Sequence, residues 1–467
     1  MTEGRIFGKM LLFILPLMAT NLLQMLYNAA DMMVVSLSPE LDAVGAIGIT
    51  GPFVGMLVNI FIGFSVGANV MVARHLGARN DNGVKTTVHT AIVISVIFGI
   101  AAGAVGIAVA RPVLSLMGAE GKLLDLATTY TIIYFIGMPF ISVTNYSVAI
   151  LRAKGDTRTP LYVLSLAGLV NVMLNLFFVL VCGLSVEGVA IATAVSNLLS
   201  AIALIIKLTR EDGPCRLDIH ALKIDKDAFL WILKVGLPAG LQGALFSISN
   251  IMIQSSILRV NNMLAPTGSK FAPVVQGNAA VSNLNSFIYT SVNAVYQASI
   301  TFTSQNVGAG KYSRIPRVMI CSYSLSLIVA LVMSAAVLAF HHPLIALYGV
   351  TDGAEGTLQH IAYETAYTKL CIETMTYFLL ALMEVGSGIV RGMGKSLTST
   401  VIALIGSCLL RIVWLLTVFE AYLNVASIYM SYPASWLLTG LAQFTVALII
   451  LRRARRRYPE PSIAPAA

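Results

Sequence analysis

Long apolar runs alternate with short polar connections along almost the whole chain. A helix needs about 20 apolar residues to cross roughly 30 Å of hydrocarbon. Twelve runs approach or exceed that length: residues 11–37, 51–72, 88–110, 128–151, 161–182, 188–206, 229–257, 277–302, 318–340, 361–390, 397–418 and 428–451. The pattern predicts an all-α integral membrane protein with twelve transmembrane helices. Its first run follows Arg5 and Lys9, as in a signal peptide, but continues past Asn21 with no small-residue cleavage site, so an uncleaved span is expected.

Polar landmarks between the runs occur twice, in the same order. Leu15-Pro16 returns as Leu237-Pro238, His75-Leu76-Gly77-Ala78 as Asn306-Val307-Gly308-Ala309, and Arg152-Ala153-Lys154-Gly155 as Arg391-Gly392-Met393-Gly394. Such a repeat indicates a duplicated bundle, and duplicated bundles move solutes by rocking around a site between their halves. The division expected is an N-terminal six-helix lobe at 1–207, a polar cytoplasmic linker at 208–227, a C-terminal six-helix lobe at 228–451 and a basic cytoplasmic tail at 452–467. Residues 459–467 of the tail read as disordered.

Composition agrees with this class. The chain is 57% hydrophobic and 11% charged, against about 25% charged in an ordinary soluble protein. Lys and Arg gather at the amino terminus, in the loops after even-numbered spans and in the tail. Only Arg111, Lys122, Arg259, Lys270, Lys369 and Arg411 fall elsewhere. By the positive-inside rule both termini are cytoplasmic, and the formal charge of +9 reflects topology and anionic lipid rather than a nucleic-acid partner. The five cysteines show no disulfide or metal spacing. No metal-binding His motif, nucleophile elbow or phosphate loop marks an enzyme, and no filter-like loop marks a channel.

Polar residues within spans are the candidate chemistry, because burying them in hydrocarbon is costly. On the first span Asn21, Gln24, Asn28 and Asp31 share one face, with Asp31 its only acid. Asn171 and Asn175 lie one turn apart on span 5. Span 6 carries Thr193 and Ser196, and counting helical rise puts Asn175 and Thr193 at similar depths. A carboxylate, amides and a hydroxyl suit a proton or a hard cation such as sodium. The same groups also suit helix–helix hydrogen bonding. In the second half, Gln242 and Phe246 share a face of span 7, and Asn278, Asn285, Tyr289, Asn293 and Tyr296 form a stripe on span 8. Amides mixed with rings fit a watery cavity for flat amphipathic molecules, with packing as the alternative. Glu373 and Arg411 fall within about one turn in depth, which predicts an intramembrane ion pair with Lys369 as a second partner. Glu384 is expected to snorkel toward the cytoplasmic surface. Pro16, Pro139 and Pro238 permit bends.

These landmarks together resemble the multidrug and toxic compound extrusion (MATE) family, in a bacterial form near its DinF-like branch. The resemblance rests on both Leu-Pro openings, on Gly67-Ala68-Asn69 through Arg74-His75-Leu76-Gly77-Ala78 with its echo Ser304-Gln305-Asn306-Val307-Gly308-Ala309-Gly310, and on residues 151–160, 171–176 and 188–193. It implies two pseudo-symmetric six-helix lobes around a central cleft, in a monomer of the bacterial inner membrane. The activity implied is export of organic, often cationic compounds in exchange for H+ or Na+, with no cofactor. It also implies a coupling site at Asp31, Asn171, Asn175 and Thr193, and a substrate cavity lined by Asn28, Gln242, Phe246, Asn285, Tyr289, Asn293 and Tyr296. The family usually has a second aspartate where this chain has Asn175, so the site here holds one ionisable group fewer. The alternative expectation is a flippase for a lipid-linked saccharide from the same superfamily.

Overall fold

The computed structural model describes residues 1–38, 40, 42–265 and 271–457; Lys270 and the 459–467 tail lie outside them. The described residues are almost all helical. In chain order the helices are α1 (Ile6–Val35), α2 (Ala43–Gly77), α3 (Asp81–Leu116), α4 (Gly121–Ile136), α5 (Met138–Lys154), α6 (Arg158–Leu176), α7 (Val186–Thr209), α8 (Lys226–Leu264), α9 (Pro273–Gly308) and α10 (Ile315–Ala339). They continue with α11 (His341–Ala346), α12 (Leu358–Lys369), α13 (Tyr377–Gly392), α14 (Ser396–Ala403), α15 (Leu410–Trp414) and α16 (Val425–Arg457). Among the described residues nine helical segments are long and apolar enough to cross a membrane, and two bent pairs bring the total to 11. The remaining long helix, α9, has 36 residues and covers the eighth predicted run. Its amide and hydroxyl side chains keep it below the apolarity of the others. The protein is a multi-pass membrane protein.

Several helices overshoot their predicted spans. α2, α3, α8 and α9 run for 35, 36, 39 and 36 residues, which is more than 50 Å at about 1.5 Å per residue. The apolar runs therefore mark only the middles of these helices. α16 likewise continues through Arg457, so the basic residues 452–457 are its final turns.

Two predicted spans are broken. α4 and α5 meet at 48° across Gly137, and Pro139 opens α5. The proline ring cannot donate to the carbonyl four residues back and crowds it, which bends the chain there. The pair around α12 and α13 bends by 44° after a π-helical turn, Leu370–Thr374. No proline lies at that bend. Instead the Thr376 hydroxyl bonds the carbonyls of Ile372 and Glu373, at 2.6 and 3.2 Å, and draws them out of the helical ladder. Further π-helical turns occupy Phe177–Val181, Leu404–Leu409 and Leu415–Phe419.

The chain forms two compact units. One comprises Met1–Gly4, Leu12–Ala244 and Ser304–Ala309; the other comprises Arg5–Leu11, Leu245–Thr303 and Gly310–Ala467. In the first unit α3 packs on the α4–α5 break through Gly99, Gly103 and Gly106. A Cβ on Gly99 would lie 2.5 Å from Pro139 Cα, and one on Gly106 would lie 2.6 Å from the Phe135 ring. Small residues at this spacing let backbones approach where lipid gives no hydrophobic push. The repeated Gly landmark also meets itself here. A Cβ on Gly77 would lie 2.0 Å from the Gln305 carbonyl oxygen, and one on Gly308 would lie 1.9 Å from that of Arg74. The second unit is cored by residues such as Val281, Leu284, Ile288, Ala366, Leu370 and Trp436.

Most of the cations expected off the basic side have acidic partners. Arg111 pairs with Asp125 at 3.0 Å, Lys122 with Glu40 at 2.6 Å, Arg259 with Glu420, and Lys369 with Glu373 at 3.5 Å.

Candidate functional site

In the first unit α1 leans on α6 at Tyr27, whose hydroxyl donates to the Ser165 carbonyl at 3.0 Å. The approach depends on Gly168. A Cβ at that position would lie 2.0 Å from the Tyr27 ring. One turn further along α1, the same seam brings Asp31 against α6. Asn175 Nδ2 donates to Asp31 Oδ1 at 2.5 Å. The Asn171 amide suits its neighbours best with Nδ2 donating to the same Oδ1 at 2.7 Å and Oδ1 accepting from the Thr193 backbone N–H at 3.3 Å. Asp31, Asn171, Asn175 and Thr193 thus come together on α1, α6 and α7.

The register differs in detail from the depth count. Thr193 meets Asn171, one turn before Asn175, because the relative tilt of two helices is not fixed by counting residues. The Thr193 hydroxyl donates to the Val189 carbonyl at 2.9 Å, and Ser196 donates to the Thr193 carbonyl at 3.0 Å. Both hydroxyl oxygens keep lone pairs. Tyr130 and Tyr134 of α4, their ring centroids 6.1 Å apart, belong to the core that also takes in Val34 and Val35 of α1. Neither tyrosine was singled out from sequence, although their i, i+4 spacing puts them on one face.

One atom of this cluster is unusual. Asn175 is fully buried, yet among the described residues its Oδ1 has no hydrogen-bond partner. Buried acceptors without partners are rare and costly. Here the orphan lies beside a carboxylate, in a set of oxygens that fits a proton or a small cation. A single carboxylate balances a monovalent ion better than a divalent one. Among the described residues no group of three His, Cys, Asp or Glu could hold a metal ion.

The residues expected to line a cavity have mixed fates. Asn28 is exposed, and Gln242 and Phe246 are half-buried. Tyr289 is 42% exposed. Asn285 and Tyr296 are instead buried in polar packing of the second unit. Asn285 Oδ1 accepts from Thr374 Oγ1 at 2.7 Å, and the Tyr296 hydroxyl accepts from Arg391 at 2.5 Å. Asn293 Oδ1 accepts from Gln297 Nε2 at 2.8 Å. The stripe on α9 is therefore divided, since a long helix turns some members inward and leaves others open.

Two expectations for charged residues are corrected. Glu373 pairs with Lys369 rather than Arg411. Lys369 lies one turn earlier and is held by Asn278 Oδ1 at 2.9 Å and Ser282 at 2.5 Å. The Arg411 guanidinium donates to Ser435 Oγ at 2.9 Å and lies 4.3 Å from the centroid of the Tyr432 ring. Equal depth did not bring Glu373 and Arg411 face to face, because the aromatic surface of α16 offers Arg411 a better seat. Glu384 does not snorkel. It is buried, as is Arg391 seven residues on, since the end of α13 is sealed by α9 around Tyr296.

Comparison with known proteins gives a consistent result. The MatE family matches residues 16–177 and 247–417. "Probable multidrug resistance protein YoeA" of Bacillus subtilis (strain 168) is 26% identical over 467 residues, covering 96% of this chain and 93% of its own. "Multidrug export protein MepA" of Staphylococcus aureus (strain bovine RF122 / ET3-1) is 22% identical, covering 97% and 95%. A solved outward-facing structure of a multidrug resistance MATE family transporter of the MOP superfamily aligns with a TM-score of 0.87 at 18% identity, over 97% of this chain and 98% of that one.

Proposed function

The chain belongs to the MatE family, and on that premise we propose that it is a secondary antiporter. It exports organic, often cationic and amphipathic compounds in exchange for H+ or Na+ by alternating access. Two lobes, 1–207 and 228–451, joined by the 208–227 linker, rock around a central cleft, with both termini cytoplasmic. The observation that carries the coupling assignment is the contact of Asp31 with Asn175 and Asn171, beside the orphaned Asn175 Oδ1. The names of YoeA and MepA support drugs as cargo.

The site offers a direct way to sense the ion. While Asp31 is a bare carboxylate it is an acceptor only, and both amides turn their N–H groups toward it. A proton on Asp31 makes one oxygen a donor that needs an acceptor, which Asn175 Oδ1 provides once the amide rotates. A sodium ion asks for the same reversal, drawing amide and hydroxyl oxygens rather than N–H groups toward α1. Either ion therefore rewrites the hydrogen bonds that fix α1 against α6. An ion drives transport only through a difference in its affinity for the two orientations of the carrier.

The flippase alternative is not favoured. A pyrophosphate-binding cavity needs available intramembrane cations, whereas Lys369 and Arg411 are both engaged inside the second unit. The test is dye efflux from loaded vesicles with proton and sodium gradients imposed separately. One gradient should drive efflux, and the same rate with neither gradient would reject antiport.

A further inference from the structure

The second unit holds an apolar pocket of about 400 Å³ between α10, α13 and α16, walled by Tyr323, Leu379, Trp436, Leu441 and Phe444. It opens on an outer face. Ile320 and Leu441 at its rim are 65% and 56% exposed. The Tyr323 and Phe444 rings meet edge to face at 5.7 Å and shape the wall. In a multi-pass membrane protein an apolar face this exposed is bathed in lipid tails. A recess in it is a place where one tail packs against protein on more than one side.

What lies above the recess decides its occupant. Arg317 of α10 is three residues before Ile320 and seven before Ser324, on the same face, so it stands about 10 Å above Ser324 along the helix. Arg452 of α16 is eleven residues after Leu441, just over three full turns, and so shares the face of that pocket residue. Both arginines are exposed. Neither has an acidic partner among the described residues. Between the two helices Arg455 donates to the carbonyls of Tyr312 and Ser313, each at 3.3 Å, which clamps the basic end of α16 to the start of α10. The clamp thus brings the helix ends that carry Arg317 and Arg452 together on the side of the recess toward which both helices run basic.

We propose that this face is a binding site for an anionic glycerophospholipid, with one acyl chain in the pocket and the phosphate between Arg317 and Arg452. Basic groups just above an apolar slot between transmembrane helices match that amphiphile in both charge and shape. A zwitterionic lipid carries its own cation toward the arginines and gains less. The site is separate from the Asp31 cluster and does not depend on the transport reading.

Native mass spectrometry of the purified protein, titrated with phosphatidylglycerol or phosphatidylcholine in detergent, tests the assignment. Phosphatidylglycerol should bind more tightly, and the R317Q/R452Q double variant should lose on the order of tenfold or more of that affinity while its phosphatidylcholine binding holds. S324W should block the slot and lower binding of both lipids. Thermal unfolding of each variant without lipid controls for misfolding. Equal binding of the two lipids by the native chain, or phosphatidylglycerol binding unchanged in R317Q/R452Q, overturns the proposal. So does retention of bound lipid by a folded S324W protein.

Discussion

A carboxylate inside a bundle is informative only through what surrounds it, and around Asp31 the neighbours are amides. The polar face of α1 and the Asn171 and Asn175 pair were legible because helical spacing assigns a face. The contact of Thr193 with Asn171 was not, because it depends on helix tilt. Gly168 is the residue that permits the contact. Gly168→Leu should drive α1 from α6 and lose ion-driven efflux, whereas Gly8→Leu, at a glycine with open space where its Cβ would lie, should not; vesicle transport at matched protein levels checks this. At the polar end of the first unit, Glu211 is nearly buried and paired with Lys154 and with Lys207 at 3.1 Å. Burial works to raise its pKa, but the two lysines hold it below the ordinary carboxylate range. A depressed carboxylate contributes stability above its unfolded pKa and loses it as pH falls through the lowered value. Amide exchange across 211–222, corrected for intrinsic rates, should therefore accelerate only in acid. The buried Cys215 thiol, pushed up to about 11 chiefly by burial, should alkylate slowly at pH 8 in the native chain and faster in E211Q.

At the scale of elements, sequence located the helices and misjudged their shapes. Of the three prolines expected to permit bends, Pro139 opens α5 at the break after α4, whereas Pro16 and Pro238 lie within the continuous helices α1 and α8. The bend after Leu370–Thr374 carries no such mark; Thr376 makes it with an ordinary hydroxyl. α9 was readable as a span despite its amides only because its polar residues fall on stripes. The Gly landmarks gained a physical reason from the structure. Gly77 and Gly308 close one crossing at distances no side chain tolerates, so the repeated motif is a packing device. Gly308→Val should destabilise the protein by about 1–3 kcal/mol or more, read as a lowered midpoint in detergent unfolding. The adjacent Gly310 has open space but a positive φ of 69°, so Gly310→Asn, which tolerates that conformation, should be nearly neutral.

For the whole molecule, class followed from composition and duplication, whereas pairing was legible only locally, as for Lys369 and Glu373 one helical turn apart. Charge asymmetry predicts an orientation, and Arg111 and Lys122, which fall off the basic side of that expectation, pair with Asp125 and Glu40. Depth counting failed for Glu373 and Arg411 because two groups at one height still need to face each other. The division of α9 between open and buried residues leaves Tyr289 as the exposed aromatic of that stripe. Tyr289→Ala should weaken handling of some dyes more than others, a change in KM pattern across a dye panel rather than a uniform loss. The central claim is that occupancy of Asp31 by a coupling ion drives export. Its most direct measurement is gradient-driven dye efflux by D31N beside the native chain, in vesicles shown to hold equal amounts of folded protein. The account predicts that D31N loses the response to the imposed gradient, and a D31N protein that exports dye at the native gradient-dependent rate would contradict it.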